Sequence, residues 1–177
     1  MSLYLVESVL NEQVSGKEAF EKKVDDVQEK LSTENANLIE VQVSKDLSRV
    51  FFIIESDVRD NITNTLRELN ISVTLIKAVR LVGKDLEDVK KQDERINYLV
   101  EWNLPENLSM DQYLERKKKN SVHYDEVPEV SFSRTYVCED MTKCLCFYDA
   151  EDEDSVLRAR DAVKAPVDRI TEMHSDK

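Results

Sequence analysis

The tetrapeptide Tyr-Leu-Val-Glu occurs twice, at residues 4–7 within YLVESVL and again at 98–101 within YLVEWNL. Setting position 4 against position 98 gives an offset of 94 residues, and the whole chain can be read against itself at that distance. Leu10 then falls on Leu104, Ser15 on Ser109, Glu21 on Glu115 and Lys23 on Lys117. Further along, Val43 falls on Val137, Asp46 on Asp140, Asp60 on Asp154, Val73 on Val167 and Ile76 on Ile170. Identity is low, but the offset never changes while the hydrophobic pattern stays in step. Two copies of one module account for that constancy.

Each copy predicts the same order of elements. Residues 3–10 read as a strand, after which Ser15 caps an amphipathic helix carrying Phe20, Val24, Val27 and Leu31. Residues 38–44 and 49–55 read as strands around the turn KDLS, and Asp57 opens a helix through Ile62, Leu66 and Leu69. The β-branched run 73–82 closes the copy as a strand. In the second copy the pattern predicts a strand at 97–104, a helix at 109–120, strands at 130–138 and 143–149, a helix at 151–164 and a strand at 168–173. The order βαββαβ is the split βαβ arrangement of ferredoxin-like domains. The boundaries are 1–82 for the first repeat, 83–96 for a charged linker with a short helix, and 97–177 for the second repeat.

The strands also indicate what covers them. A sheet with helices on one face and water on the other alternates apolar with polar residues. VFFII (50–54) and CLCFY (144–148) do not alternate. Both faces are therefore expected to be buried, one by helices and the other by the second copy's sheet. The expected class is α+β: tandem ferredoxin-like repeats with their antiparallel sheets packed face to face, a pseudo-dimer resembling a dimeric α+β barrel.

Composition narrows the function. A formal charge of −12 argues against nucleic acid and anionic membranes, since neutralising phosphates requires a basic face. The basic run Arg116-Lys117-Lys118-Lys119 reads as the closing turn of an exposed helix, where cations meet the negative end of the dipole. No apolar run reaches the roughly 18 residues of a membrane span, and no basic segment leads into an apolar signal core. Cys138, Cys144 and Cys146 are odd in number and clustered, so they do not form a disulfide framework and point to a reducing, cytoplasmic setting.

Motifs for catalysis are scarce. With Gly16 and Gly83 as the two glycines, neither a dinucleotide fingerprint nor a P-loop can be built. His123 and His174 are the two imidazoles, and no nucleophile elbow accompanies them. Cys144 and Cys146 share one face of a strand and Cys138 sits across the hairpin; as buried thiols they are small hydrophobes, or the three with His123 could take zinc, copper or nickel. Glu7 and Glu101 sit mid-strand among apolar neighbours in both copies. A buried carboxylate needs a partner or a raised pKa, so each is either one half of an ion pair or a base or ligand lining the space between the sheets.

Tyr98-Leu99-Val100-Glu101, TYVCED (135–140), CFYDAEDEDSV (146–156) and APVDRI (165–170) together resemble a family of small ferredoxin-like proteins of unknown function, often labelled nickel-binding. Its members typically read YxVE at the first strand, then W-x-x-S-Y-V, an acidic turn, C-x-[FY]-x-A-P, and a helix ending A-G-x-P-x-D-R-[IV]. The resemblance spans the second copy, while the first shares YLVE and the pattern. It implies a divalent metal, nickel or zinc, with Cys146 at the family cysteine and Tyr136 and Glu101 at family-like positions. The chain departs from that pattern with Phe132 at the tryptophan position, Arg134 and Ala159 at the two histidine positions, and Lys164-Ala165 in place of A-G.

Two functions follow as expectations. The first is a binding module for a small molecule or metal ion with its site between the two sheets, lined by Glu101, Tyr136, Tyr148 and Glu7, with Cys146 and His123 as the metal donors. The second is a cofactorless enzyme with Glu7 or Glu101 as base and a tyrosine as proton donor. If the paired sheets bury each other within one chain, the protein sediments as a monomer in analytical ultracentrifugation. A stable dimer would show that the second sheet faces are covered between chains instead.

Overall fold

The computed structural model describes residues 1–10 and 16–175, and it is α+β with two compact units. The first unit comprises Met1–Val79 with Glu87–Gln92, and the second Arg80–Leu86 with Asp93–Lys177. The first holds β1 (Ser2–Val9), α1 (Lys17–Thr33), β2 (Asn37–Val43), β3 (Arg49–Ser56), α2 (Arg59–Glu68) and the leading part of β4 (Leu75–Val82). Its strands run antiparallel in the order β2-β3-β1-β4. The charged stretch after β4 carries a short helix, α3 (Leu86–Lys90). The second unit holds β5 (Tyr98–Asn103), α4 (Met110–Asn120), a 3-10 turn (Ser121–Glu126), β6 (Val130–Cys138), β7 (Lys143–Ala150), α5 (Glu153–Ala162) and β8 (Arg169–Glu172). Its strand order is β6-β7-β5-β8, again antiparallel.

The internal geometry of the two units corresponds position by position. Tyr4 pairs with Ile54 and Tyr98 with Tyr148; Glu7 pairs with Leu75 and Glu101 with Arg169. Every one of these partners lies 94 residues from its counterpart. The irregularity between Leu38 and Glu40 in β2 recurs between Phe132 and Arg134 in β6. Such a bulge bends a strand and re-aims the side chains beyond it.

Local chemistry explains the element ends. Ser109 caps α4 through a reciprocal pair: Gln112 N donates to Ser109 Oγ at 3.2 Å, and Ser109 N donates to Gln112 Oε1 at 2.9 Å. The cap expected at Ser15 lies outside the described residues. Asp152, from the acidic run, caps α5 by accepting from Ser155 N at 2.8 Å. Asp57 does not cap α2 as expected. Val58 holds the cap position, and Ser56 Oγ takes the Val58 N–H at 3.1 Å instead.

The central strands β1, β3, β5 and β7 carry buried residues on both faces. On the helix side of the first unit, Val6, Phe52 and Ile54 pack with Val27, Leu31, Ile62 and Leu66. On the helix side of the second, Val100, Trp102, Cys144, Cys146 and Tyr148 pack with Tyr113, Val156 and Ala159. The alternate residues Leu5, Phe51, Ile53, Leu99, Leu145 and Phe147 are also buried, which is why these strands read as continuous apolar runs.

The hairpin turns are held by acceptor side chains. Asp46 Oδ1 accepts from Ser44 Oγ at 2.7 Å, Ser48 Oγ at 2.6 Å and Ser48 N at 3.0 Å. Asp140 does the same with Thr142 Oγ1 at 2.6 Å and Thr142 N at 3.1 Å. These bonds keep Leu47 and Met141 at φ 62° and 60°, a region that favours glycine. The Ser48 hydroxyl, followed by the Ser44 hydroxyl and the Ser48 amide, lowers the Asp46 carboxyl from 3.8 to about 2. A folded pKa below the unfolded one adds stability that is present above about pH 4 and is lost as pH falls through about 2. Asp46→Ala is therefore expected to lower neutral-pH stability and flatten the acid limb of a urea-unfolding series across that window.

Candidate functional site

The correspondence between units identifies a candidate site by contrast. In the first unit Phe52, Ile54 and Leu66 meet beneath α2, each buried to within 2% of full occlusion. The residues 94 positions on are Cys146 and Tyr148 on β7 and Arg160 on α5. An apolar contact in one unit is a polar cluster in the other, at the same strand face and helix turn.

Strand periodicity places Cys146 and Tyr148 on the same face, toward α5. Arg160, 2% exposed, reaches both. Its Nη1 donates to Tyr148 Oη at 3.1 Å and to Cys146 Sγ at 3.4 Å, while Nη2 donates to the carbonyl of Pro166 at 2.5 Å. Its buried Nε has no hydrogen-bond partner among the described residues. Thr135, opposite Cys146 in the ladder, donates its hydroxyl to the same sulfur at 3.2 Å. The Tyr148 and Tyr124 hydroxyls lie 2.6 Å apart, joining the 3-10 turn to the cluster.

The electrostatics follow from burial. A guanidinium removed from water costs several kcal/mol before its partners are counted, so only good hydrogen-bond geometry makes it tolerable. Burial opposes the Arg160 charge, and Cys146 and Tyr148 outweigh it, raising its pKa further. The hydrogen bond from Cys144, helped by Lys117 and Arg160 against the cost of burial, holds the Cys146 thiol well below its ordinary range. The same S–H···S bond, with burial, raises Cys144. Burial pushes Tyr124 up to about 12 and raises Tyr148 and Tyr113 as well, so these phenols stay protonated at neutral pH.

Next to this cluster is a cleft of about 360 Å³, measured to include its open mouth. Arg160 forms part of its wall, Trp102, Tyr113 and Tyr124 present rings, and Arg116 and Lys117 bring two more cations from α4. No carboxylate is among its described lining residues. Arg116 stacks 5.3 Å from the Trp102 ring centre and donates Nη2 to the Lys164 carbonyl at 2.6 Å. Lys117 Nζ sits 4.3 Å from the Phe132 ring centre. The basic run does close α4, as expected, and it also contributes these two residues to the cleft. The corresponding hollow of the first unit is lined by Phe20, Val24, Phe52 and Ile71, and Lys23, its one cation among the described residues, is tied to the Leu69 carbonyl at 2.5 Å.

Of the residues singled out from the sequence, Cys146 and Tyr148 lie in the cluster and the others do not. Glu101, 5% exposed, accepts from Lys143 Nζ at 3.1 Å and lies 4.0 Å from Arg169 Nε. Glu7 accepts from Arg49 Nη2 at 3.1 Å, and Arg49 corresponds to Lys143. Both glutamates are thus held in ion pairs. Glu101 and Tyr136, whose ring meets Phe147 edge-on, occupy the strand face opposite the cleft, and Glu7 occupies the equivalent face of β1 in the first unit. His123 gives Nδ1 to Glu126 Oε2 at 2.6 Å on the half-exposed 3-10 turn.

The residues present do not fit a divalent metal. The Cys146 sulfur already receives a guanidinium N–H, and His123 is engaged with Glu126. Among the described residues no three His, Cys, Asp or Glu side chains gather to hold an ion. At the two family-like histidine positions, Arg134 is buried and donates to Ser133 Oγ at 2.6 Å, and Ala159 packs under α5. Arg160 escaped a residue-by-residue reading of the sequence, and Arg116 and Lys117 were read there only as the basic close of a helix. The available signal was arginine at a core helix position where the other copy has Leu66.

Removing one partner of a buried pair leaves the other short of an acceptor. Glu101→Ala is expected to cost about 1–3 kcal/mol in urea unfolding, with a similar loss for Glu7→Ala. An unchanged midpoint would show that the pair contributes nothing.

Solved structures match the whole chain in fold. A candidate chlorite dismutase, TA0507, superposes with a TM-score of 0.59 at 10% identity, covering 100% of this chain and 96% of that one. An anthrone oxidase-like protein gives 0.55 at 9% identity, covering 98% and 90%. A candidate monooxygenase from Lactobacillus acidophilus NCFM gives 0.52 at 8%, covering 100% and 95%. A comparison with curated protein sequences finds no match. Residues 98–173, which run from β5 through β8, match the family described as nickel responsive protein SCO4226-like.

Proposed function

We propose that the second unit is a small-molecule-binding module whose ligand is an anion with an apolar or aromatic body, held in the cleft beside Arg160. The observation that carries this reading is the lining itself. Arg116, Lys117 and Arg160 converge with Trp102, Tyr113 and Tyr124 on a cleft without a carboxylate, in a chain of net charge −12. A local field opposite to the global one, between low-dielectric walls, concentrates anions at that place. The rings offer stacking surface, and Asn120 and Ser121 add neutral polar groups at the rim.

The two units read as copies of one module, of which the first kept an apolar core and the second acquired the polar cluster. The three buried thiols suit a reducing, cytoplasmic setting. An enzymatic reading draws on the fold likeness to a candidate monooxygenase and an anthrone oxidase-like protein, but this fold hosts unrelated functions. Glu101, one base that reading would use, is held in an ion pair on the strand face away from the cleft, and Glu7, the other, is held in an ion pair within the first unit. The binding module is therefore the better account of the site.

Calorimetric titration with benzoate, salicylate and inorganic phosphate tests the proposal. An aromatic carboxylate is expected to bind with an affinity that falls as salt is raised. Lys117→Gln and Arg116→Gln are each expected to weaken it about ten- to a hundredfold, the value of a charge-assisted hydrogen bond. Rebuilding the first unit's core with Cys146→Phe, Tyr148→Ile and Arg160→Leu is expected to abolish binding. It should leave stability unchanged or raise it by about 1–4 kcal/mol, because a buried ionic group gives way to packed hydrocarbon. Binding that survives this triple substitution, or no heat with any of the anions, would overturn the proposal.

A further inference from the structure

We infer that the hollow of the first unit is a second ligand site, one that takes a small uncharged molecule with an apolar body and a single hydrogen-bonding group directed at Ser8. This site lies within the first unit and is independent of the anion cleft of the second.

Ser8 follows Val6 by two residues on β1, so its side chain points to the same helix-covered face. It is 2% exposed, and its Oγ has no hydrogen-bond partner among the described residues. Buried hydroxyls in folded proteins are paired with few exceptions, because one stripped of water and left alone opposes folding. Alanine would fit the same place on the strand without that cost. Ser8 forms part of the wall of the hollow, whose volume is about 430 Å³ with its open mouth included. The rest of that wall is mainly apolar, with Phe20 and Val24 from α1, Phe52 from β3 and Ile71 from the loop after α2. Two other polar groups at this place are already engaged. Ser72 Oγ donates to the Val9 carbonyl at 3.2 Å, and Lys23 Nζ donates to the Leu69 carbonyl at 2.5 Å. A molecule that reaches Ser8 therefore meets hydrocarbon and one hydroxyl able both to donate and to accept. A charged group would shed its water against this wall with a single, already bonded ammonium to compensate it, whereas an uncharged one is buried at much lower cost.

The residue 94 positions on from Ser8 is Trp102. The two hold the same station in their ladders, Ser8 opposite Val50 and Trp102 opposite Cys144. The strand of the second unit thus fills this place with an indole, and the strand of the first offers a hydroxymethyl group. Phe52, where the second unit has Cys146, takes back part of that space, and the hollow remains. Free indole is therefore the natural probe: flat, uncharged and apolar, with one N–H to give to Ser8 Oγ.

Titration of the methyl-labelled full chain with indole, followed by carbon-proton correlation NMR, tests the site. Indole is expected to shift the Val24 and Ile71 methyl signals saturably, with a Kd of about 0.1–1 mM that does not change with salt. Ser8→Ala keeps the hollow and removes the hydroxyl, and is expected to weaken binding about tenfold. Ser8→Trp, which installs the second unit's residue, is expected to abolish it. Val24→Phe closes the hollow from α1 with the same expected loss, and circular dichroism establishes that each variant is folded. Lys117→Gln, in the second unit, is expected to leave the indole shifts unchanged. Benzoate is expected to act on these methyls about tenfold more weakly than indole, or not at all. No saturable shift at Val24 and Ile71, as when Ser8 holds an ordered water only, overturns the site, and so do shifts that persist in the folded filling variants. Full-strength binding in Ser8→Ala overturns the part given to the hydroxyl. Benzoate acting on these methyls as tightly as indole overturns the selection of an uncharged ligand and leaves the anion cleft untouched.

Discussion

The antiparallel pairing at the centre of each unit, β1 with β3 and β5 with β7, determines which side chains meet the helices. Val6 lies opposite Phe52, and Val100 lies opposite Cys146. A slip of one residue in either ladder would turn every side chain to the other face. With the register in place, Cys146 and Tyr148 face α5 while Glu101, Leu145 and Phe147 face away, so the ion pair to Lys143 and the Arg160 cluster are kept on opposite faces of the sheet.

The cluster is costly in a way the apolar cores are not. Elsewhere in the cores, apolar area is removed from water with little loss. At Arg160 a charge is buried, its Nη groups compensated by a phenol, a sulfur and a carbonyl, and its Nε without a partner among the described residues. The first unit shows the cheaper arrangement of Phe52, Ile54 and Leu66 in the same backbone. Two units whose strand pairings correspond position by position thus separate what the ladder needs from what the cluster adds.

The charge of the whole molecule and that of the cleft have opposite signs. The net charge of −12 discourages polyanions, while three cations line a recessed cleft, the feature on which the proposed anion site rests. A polymer sees the net charge over many ångströms. A small ligand, once inside the cleft, sees Arg116, Lys117 and Arg160 at close range with little screening.

Much of the architecture was legible in the sequence because periodicity and turn chemistry are local. The period-2 and period-3.6 patterns marked the elements, and Asp46 and Asp140 marked the hairpins. The constant offset from YLVE to YLVE located corresponding residues before any coordinates were known. In the structure Arg49 and Lys143, 94 residues apart, are each the partner of their unit's glutamate. The cleft was not legible, because it depends on side chains from α4, the 3-10 turn and α5 that are distant in sequence and meet only through packing. Arg116 and Lys117 read locally as the close of a helix, which they are; only the tertiary structure sets them beside Trp102 and Arg160. His123 and Cys146 both carry metal-binding atoms, yet the fold gives one to Glu126 and the other to Arg160. Residue type sets which chemistry is available, and the packing of distant elements decides which partner each group obtains.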